Sequence, residues 1–409
     1  MTDRRKFLQA AGVAGAFTIL KPELVRGSAA NSAVRVGLLG CGGRGGEHAK
    51  GISETADARL VALADLFPDQ MERAKKNFPS AEITFTGVKA ADEIINSKDV
   101  DAVVIATPAY FHTDHLALAV AAGKHIYLEK PVAVDVANAK RVLELGKKAE
   151  GRLSLDVGFQ IRSAPPFAEM VRRIHGGALG QIVTATAHYF CPYPGERFRE
   201  DKNPTAQRVR NWIIDKTLSG DIIVEQNIHV IDICNWVLQG HPLKATARGS
   251  KAGRSAPGDD CYSHFDVVFT YPNDVHVSFS STQFGKPLFD ANEWFFGTKG
   301  VATSPYSGKL GISGDEEWTW KGSENATGGF SASGAFSDNL AQADSEKKKG
   351  WIGSITSGKF HNQAAGGVET ALSAMLGRQA AYTGREVTWE ELLKSNQRYD
   401  AGIDLAKAV

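Results

Sequence analysis

Val34-Arg35-Val36-Gly37-Leu38-Leu39-Gly40-Cys41-Gly42-Gly43-Arg44-Gly45 is the stretch that decides the fold. Its first six residues predict a buried strand, and the G-x-G-x-x-G spacing of Gly40, Gly42 and Gly45 predicts a tight turn opening a helix. A second apolar strand, Leu60 to Ala64, ends on Asp65, 20 residues after Gly45. Each glycine has a physical role. Gly40 permits the turn, Gly42 lets backbone N–H groups approach a pyrophosphate, and Gly45 lets helix and strand pack closely. A chain with 42 glycines produces this spacing by chance, so the flanking strand, helix and acid carry the reading against a purely structural glycine turn. Together they predict a dinucleotide site with the pyrophosphate at the helix N-terminus, bound by Gly40, Gly42, Gly43, Arg44, Gly45 and Asp65. The Asp65 carboxylate accepts from a ribose 2′-OH and repels a 2′-phosphate. Leu66 and Phe67 follow it, with no Arg or Lys to welcome that phosphate. NAD is therefore expected, and Arg44 inside the loop keeps NADP as the less favoured alternative.

Working outward, short apolar strands alternate with helices to about Leu155. Leu60–Ala64, Ala102–Ala106 and Ile126–Leu128 read as buried parallel strands, with helices over Pro68–Phe78, Thr113–Ala122 and Val136–Ala149 between them. This is the pattern of a Rossmann-type, doubly wound α/β domain over residues 34–157, with ligands at the carboxyl ends of its strands. Two such ends carry Thr107-Pro108, with His112 nearby, and Glu129-Lys130-Pro131.

The texture then changes, and residues 158–409 read as a second, α+β domain. Helices are expected at Pro166–His175 and Ile222–Leu238, and strands at Ile182–Phe190, Lys244–Gly249, Tyr262–Tyr271, Val275–Gln283 and Glu293–Phe296. Such runs predict a large, mostly antiparallel sheet. Cys191–Asn211 is rich in Pro and Arg, Gly322–Gly350 reads as an irregular excursion, and helical sequence resumes from about Gly367.

Residues 1–33 read as a targeting segment. Asp3-Arg4-Arg5-Lys6-Phe7-Leu8-Gln9 resembles the twin-arginine export consensus, Ala10–Leu20 is apolar, and Ser28-Ala29-Ala30 offers a cleavage site. The alternative is an amphipathic N-terminal helix. The apolar run falls short of the roughly 20 residues a membrane span needs, so a stable anchor is not expected. A periplasmic protein is isolated from cellular NAD, so it is expected to hold its cofactor tightly and restore it within its own cycle. A net charge of +1 gives no reason to expect nucleic acid or an anionic membrane as partner. Four scattered cysteines without a C-x-x-C predict no disulfide.

Strand–GxGxxG–helix, Ala106-Thr107-Pro108 with downstream His112, Glu129-Lys130-Pro131, a later Glu225-x-x-x-His229, and Phe296-Gly297-Thr298-Lys299-Gly300 together resemble the Gfo/Idh/MocA oxidoreductases. The resemblance spans nearly all of residues 34–409. It implies nicotinamide chemistry on a sugar, inositol or related polyol, and a second domain whose open sheet often forms the interface of a homodimer or homotetramer. It also implies that Lys130 touches both nicotinamide ribose and substrate hydroxyl, its bond to Pro131 often being cis. His229 matches the family's catalytic histidine and Glu225 the acid four residues before it. That acid is usually Asp, so the longer glutamate puts substrate identity in doubt. Thr107, Pro108, His112 and Glu129 fall where the family meets cofactor; Gln160, Arg162 and Tyr189 fall where it meets substrate, and Asp232 is a further candidate substrate residue, with a structural role as its alternative.

The residues suit that chemistry on their own terms. Oxidising a secondary alcohol removes a hydride from carbon and a proton from oxygen, so a base of near-neutral pKa must reach the hydroxyl. Glu225, His229, Asp232 and Trp236 are spaced to share one face of a helix. Glu225 or Asp232 could orient His229, while Lys130 stabilises alkoxide charge and keeps the histidine neutral. Each has a bland reading: a snorkelling lysine, a core histidine, a solvated glutamate. Glu-x-x-x-His also has metal-ligand spacing, but without a third ligand no metal is expected. The arginines from Arg197 to Arg210 read as ion-paired rather than as ligands of an acidic sugar. The expected function is NAD-dependent oxidation or reduction at a carbohydrate or cyclitol hydroxyl. The alternatives are a redox-neutral glycosidase working through transient oxidation and a non-catalytic sugar-binding protein.

Overall fold

In the computed structural model, which describes residues 33–284, 289–322 and 338–409, Val34 opens a run of alternating strands and helices. The expected export segment lies outside the described residues. Strands β1 (Val34–Leu39), β2 (Ala58–Asp65), β3 (Ile83–Thr86), β4 (Ala102–Ile105), β5 (His125–Leu128) and β6 (Leu155–Val157) form a parallel sheet ordered β3-β2-β1-β4-β5-β6. Helices α1 (Gly43–Ser53), α2 (Pro68–Asn77), α3 (Ala90–Asn96), α4 (His112–Ala121) and α5 (Val136–Ala149) lie between successive strands. Order reverses between β1 and β4, and a ligand crevice opens at the carboxyl ends of strands at such a switch point. There the chain has room only for glycine. Gly40 has φ +95°, and a Cβ on Gly45 would stand 1.9 Å from the Gly40 carbonyl oxygen.

The second half begins with α6 (Pro165–His175), β7 (Ile182–Phe190) and four helices: α7 (Pro204–Arg210), α8 (Lys216–Ser219), α9 (Ile222–Glu225) and α10 (Ile228–Leu238). Strands β8 (Lys244–Ser250), β9 (His264–Thr270), β10 (His276–Thr282), β11 (Asp290–Gly297), β12 (Gly300–Thr303), β13 (Gly311–Gly314) and β14 (Trp318–Thr319) follow. The chain closes with α11 (Ala343–Ser357), α12 (Ala364–Thr383), β15 (Val387–Thr388) and α13 (Trp389–Ser395). Among the described residues these strands make a nine-stranded sheet ordered β14-β13-β12-β11-β7-β10-β9-β8-β15. Within this sheet, among the described residues, only β7 and β10 pair in parallel. β7 shows how the sheet serves the site: Ala185, Ala187 and Tyr189 point into the core, while Thr184 and Thr186 lie on the open face. The alternation puts the ring of Tyr189 inside at the strand's end.

Two elements differ from the sequence reading. Ile222–Leu238 is not one helix. The Asn227 N–H donates to the Ile222 carbonyl at 2.9 Å, a five-residue span that widens the turn and separates α9 from α10. Glu225 therefore sits on a short turn of its own. The second difference is α11, which begins inside the stretch read as irregular. Its buried face is charged, with Lys347 and Lys348 under 5% exposed, so no apolar period announced it. Lys347 pairs with Asp156 at 3.0 Å and Lys348 with Asp344 at 3.4 Å. Trp351, fully buried, meets the Tyr127 ring edge-on at 5.5 Å. Thus α11, late in the chain, packs on the first domain and shares a core with β1 and β2.

Helix α12 fixes the two halves together. A Cβ on Gly367 would meet Val132 at 2.9 Å, and buried Arg378 donates to the carbonyls of Val134 and Gly220 at 2.9 and 2.8 Å. A smaller apolar cluster joins Phe67 to Ala206, Val209 and Ala408. Above it the Arg210 guanidinium lies 3.8 Å from the Phe67 ring and pairs with Asp69 at 2.7 Å.

Truncating Trp351 to Ala should cost about 3–5 kcal/mol, because a large buried ring leaves a cavity between α11 and β5. Urea unfolding measures it, and a loss below about 1 kcal/mol would contradict the packing described.

Candidate active site

Two adjoining cavities occupy the crevice, of about 150 and 500 Å³. They share Gly42, Gln70, Thr107, Arg199 and Trp212, so one continuous cleft runs from the end of β2 to the second domain.

The first cavity has the features of an adenosine site. Asp65 ends β2 in its wall, nearly buried, accepting from the N–H groups of Cys41 at 2.7 Å and Phe67 at 2.9 Å. Burial raises its pKa, and the two N–H bonds oppose that rise. Each bond uses one oxygen, leaving lone pairs for a ribose diol. Gly42 and Gly43 face open space where their Cβ atoms would be, as an approaching pyrophosphate requires. The residues present thus fit a bound dinucleotide. Thr107 and Pro108 line this end.

Arg44 and Glu129 are placed differently from the other loop positions. The Arg44 guanidinium is already committed, to Glu129 at 2.8 Å and to both oxygens of Asp344 at 2.8 and 2.7 Å. Glu129 also takes His48 Nε2 at 2.6 Å and the Lys130 N–H at 3.0 Å. Burial works to raise Glu129, yet Arg44 and His48 outweigh it and hold it well below the usual carboxylate range. His48 is pushed down to about 4, by burial and then by Arg44. These groups hold the loop to the end of β5. His112 is likewise held from within: Nδ1 faces the Pro131 carbonyl at 2.7 Å and Nε2 the Thr107 carbonyl at 2.8 Å. Two carbonyl acceptors favour the imidazolium, while burial lowers the pKa. Burial is the stronger effect, and the pKa lies below its ordinary value. His112 ties the two strand-end loops together.

The second cavity gathers Lys130, Glu225, His229, Gln160 and Tyr189. The Lys130–Pro131 peptide is cis. Lys130 Nζ reaches across the domain boundary to the Glu225 carboxylate at 3.0 Å and its backbone carbonyl at 2.7 Å. Glu225 Oε2, Gln160 Oε1 and His229 Nδ1 are buried with no hydrogen-bond partner among the described residues. Burial first, and then the Lys130 charge, pushes the His229 pKa well below its ordinary value. A neutral imidazole beside an ammonium and an unsatisfied carboxylate is a site awaiting hydroxyl groups.

Arg162 and Asp232, expected at the substrate, do not line the cavity. They bind each other through two contacts of 2.8 Å, and Asp232 also accepts from Thr370 at 2.8 Å. A nearly buried carboxylate so satisfied braces α10 against α12. The break at Asn227 takes Glu225 off the helix that carries His229, Asp232 and Trp236. Of the arginines from Arg197 to Arg210, Arg208 pairs with Asp215 and Arg210 with Asp69 and Asp201. Sequence reasoning did not single out Trp212, Tyr193, Gln226 or Phe289, which also line the cavity. Tyr193 is fixed by donating to Asp259 at 2.5 Å. No spacing announces them, since they come from loops and short turns between the longer elements. All four cysteines are buried and free. Among the described residues no group of three His, Cys, Asp or Glu gathers to hold a metal, and no helix is long and apolar enough to cross a membrane.

Comparison with known proteins agrees with this geometry. Residues 34–157 match the oxidoreductase family model with an NAD-binding Rossmann fold, GFO_IDH_MocA, and residues 167–303 match the GFO/IDH/MocA C-terminal domain. The chain is 30% identical over 274 residues to an inositol 2-dehydrogenase of Rhizobium meliloti, covering 66% of this chain and 75% of that protein. It is 29% identical over 252 residues to that of Acidothermus cellulolyticus, covering 61% and 66%. The solved structure of a levoglucosan dehydrogenase with NADH and levoglucosan superposes with TM-score 0.70 at 19% identity, over 87% of this chain and 99% of that one, and shares the fold. The chain belongs to the Gfo/Idh/MocA oxidoreductase family. It is an NAD-dependent oxidoreductase.

Asp65→Asn should weaken NADH binding about tenfold, read by fluorescence titration, because a charge-assisted bond to the ribose is worth about 1.5–3 kcal/mol; unchanged affinity would contradict the ribose assignment. A catalytic base must be neutral to accept a proton, and the lowered pKa of His229 fits it for that role as pH falls. The acid limb of kcat should therefore lie below the ordinary histidine value of about 6.5. A limb at or above that value, absent from His229→Asn, would contradict the environment described.

Proposed function

We propose that the protein oxidises a ring hydroxyl of a cyclitol, sugar or glycoside, passing the hydride to NAD and the proton to His229. The observation that carries this is Lys130, held 3.0 Å from Glu225 beside buried His229, in a cavity continuous with the glycine loop. NAD supplies the hydride acceptor when bound, with Asp65 and the backbone of Gly40–Gly45 as its seat. Lys130 donates to the reacting oxygen and stabilises its charge as the proton leaves. Glu225 Oε1 orients Lys130, and its unpartnered Oε2 accepts from a neighbouring hydroxyl. Gln160 and Tyr189 bound the ring. Inositol 2-dehydrogenases among the relatives support a polyol as substrate.

A second reading, a redox-neutral glycosidase that oxidises its sugar transiently, draws on the roof over the adenosine end. Arg210, Val209 and Leu405 from the second half line that cavity, and Arg210 is clasped to Asp69. Such a roof favours a retained cofactor. Export by the twin-arginine route, suggested by Arg4-Arg5-Lys6-Phe7-Leu8, would make retention necessary. The open face of the nine-stranded sheet carries half-exposed Val268 and Trp294 and supports a homo-oligomer.

The test offers cyclitols, sugars and glycosides to purified protein, with and without added NAD, following absorbance near 340 nm. Lasting NADH formation on a polyol supports the dehydrogenase. Release of free sugar without lasting absorbance supports the internal cycle. Neither signal with any substrate, from protein that binds NADH, would overturn both.

A further inference from the structure

Behind the glycine loop lies a charge system whose far end is buried outside the cavity and whose near end is Lys130. It begins at Asp344, the second residue of α11, beyond both segments that match the family models. Both Asp344 oxygens bind Arg44, and Arg44 Nε binds Glu129 Oε1 at 2.8 Å. The other Glu129 oxygen accepts the Lys130 N–H at 3.0 Å, and Lys130 Nζ reaches Glu225 at 3.0 Å. One ladder of hydrogen-bonded charges thus runs from α11, through the cofactor loop, to Lys130. Alternation of sign makes it self-consistent: Asp344 and Glu129 flank Arg44, while Lys348 lies 3.4 Å from Asp344.

The seating of α11 is specific. A Cβ on Gly51 of α1 would stand 2.7 Å from the Lys348 Cδ, so the lysine stem lies directly across that glycine. Ser354 meets Ser154 at 2.5 Å, and Trp351 is fully buried beneath Tyr127. Glu129 has no slack on its other side either: a Cβ on Gly158 would fall 2.5 Å from its Oε2. A carboxylate confined in this way transmits the position of Arg44 to Lys130 rather than absorbing it.

We propose that Asp344 is a positioning residue for the reaction: through Arg44 and Glu129 it sets the register between the cofactor loop and Lys130, so that α11 is a working part of the active site. Arg44 is then a strut, not a phosphate ligand. This rests on Lys130 being the residue that meets the substrate.

The experiment compares wild type with Asp344→Ala, Asp344→Glu, Arg44→Met and the Asp344→Ala/Arg44→Met double variant. Each is read for NADH affinity by fluorescence and for kcat and KM on a polyol the wild type oxidises. Lys349→Ala, on the exposed side of α11, is the control. Asp344→Ala should weaken NADH binding and lower kcat by about tenfold or more with KM for the polyol little changed, since a small misplacement of a reacting group is that costly. Asp344→Glu should recover part of both, the double variant should lose no more than Arg44→Met alone, and Lys349→Ala should match wild type. Asp344→Ala with wild-type NADH affinity and kcat, or additive losses in the double variant, would overturn the proposal. A fold-wide loss is separated by near-UV circular dichroism: altered packing in Asp344→Ala that Asp344→Glu does not restore counts against it. A wild type that binds NADH but oxidises no polyol sinks the functional reading instead, while the NADH arm still decides the strut.

Discussion

The Lys130–Glu225 contact is possible only because two halves of the chain are held at fixed distance. Lys130 ends a strand of the first domain, and Glu225 stands on a single turn of the second. Burying such a pair contributes little net stability, since desolvation offsets most of the attraction. Its geometry must therefore be imposed from outside. The continuous apolar core across the boundary, α12 against Val132 and Val157, and Arg378 bridging Val134 to Gly220 impose it. The site is a consequence of interdomain packing, an arrangement that the ions alone would not hold.

Charge balance is the second constraint. The cleft holds Lys130 and Arg44 against Glu129, Glu225 and Asp344, with His229 and His48 buried as neutral rings. Each ion is answered within the protein, apart from one Glu225 oxygen. That unsatisfied carboxylate oxygen, with Gln160 Oε1 unpartnered in the same cavity, asks for a ligand with hydroxyl donors and gives a physical reason for polyols. Glutamate in place of the shorter acid lets one carboxylate hold Lys130 and still present an oxygen to the cavity.

How much of this the sequence carried depended on whether a residue's neighbours were local. The glycine loop, Asp65 and Glu129-Lys130-Pro131 were legible because strand, turn and helix follow one another in order, and the parallel sheet followed from the same alternation. Glu225 and His229 were legible as a spaced pair, but the widened turn at Asn227 was not, because it arises from backbone bonding that no side-chain pattern marks. Arg162 and Asp232 looked available in one dimension and proved to satisfy each other in three. Helix α11 escaped notice because its inward face is built from lysines, each paired with an acid distant in sequence or one turn away. Residues of loops and short turns, such as Tyr193 and Trp212, reach the cavity through tertiary placement alone.

Hydride transfer from substrate carbon to bound nicotinamide is the central claim. The most direct measurement mixes the protein and NAD with a cyclitol deuterated at its carbinol carbons and reads the nicotinamide by proton NMR. Deuterium should appear at a single face of the nicotinamide C4 position. Deuterium lost to solvent, with the nicotinamide left unlabelled, would contradict direct transfer.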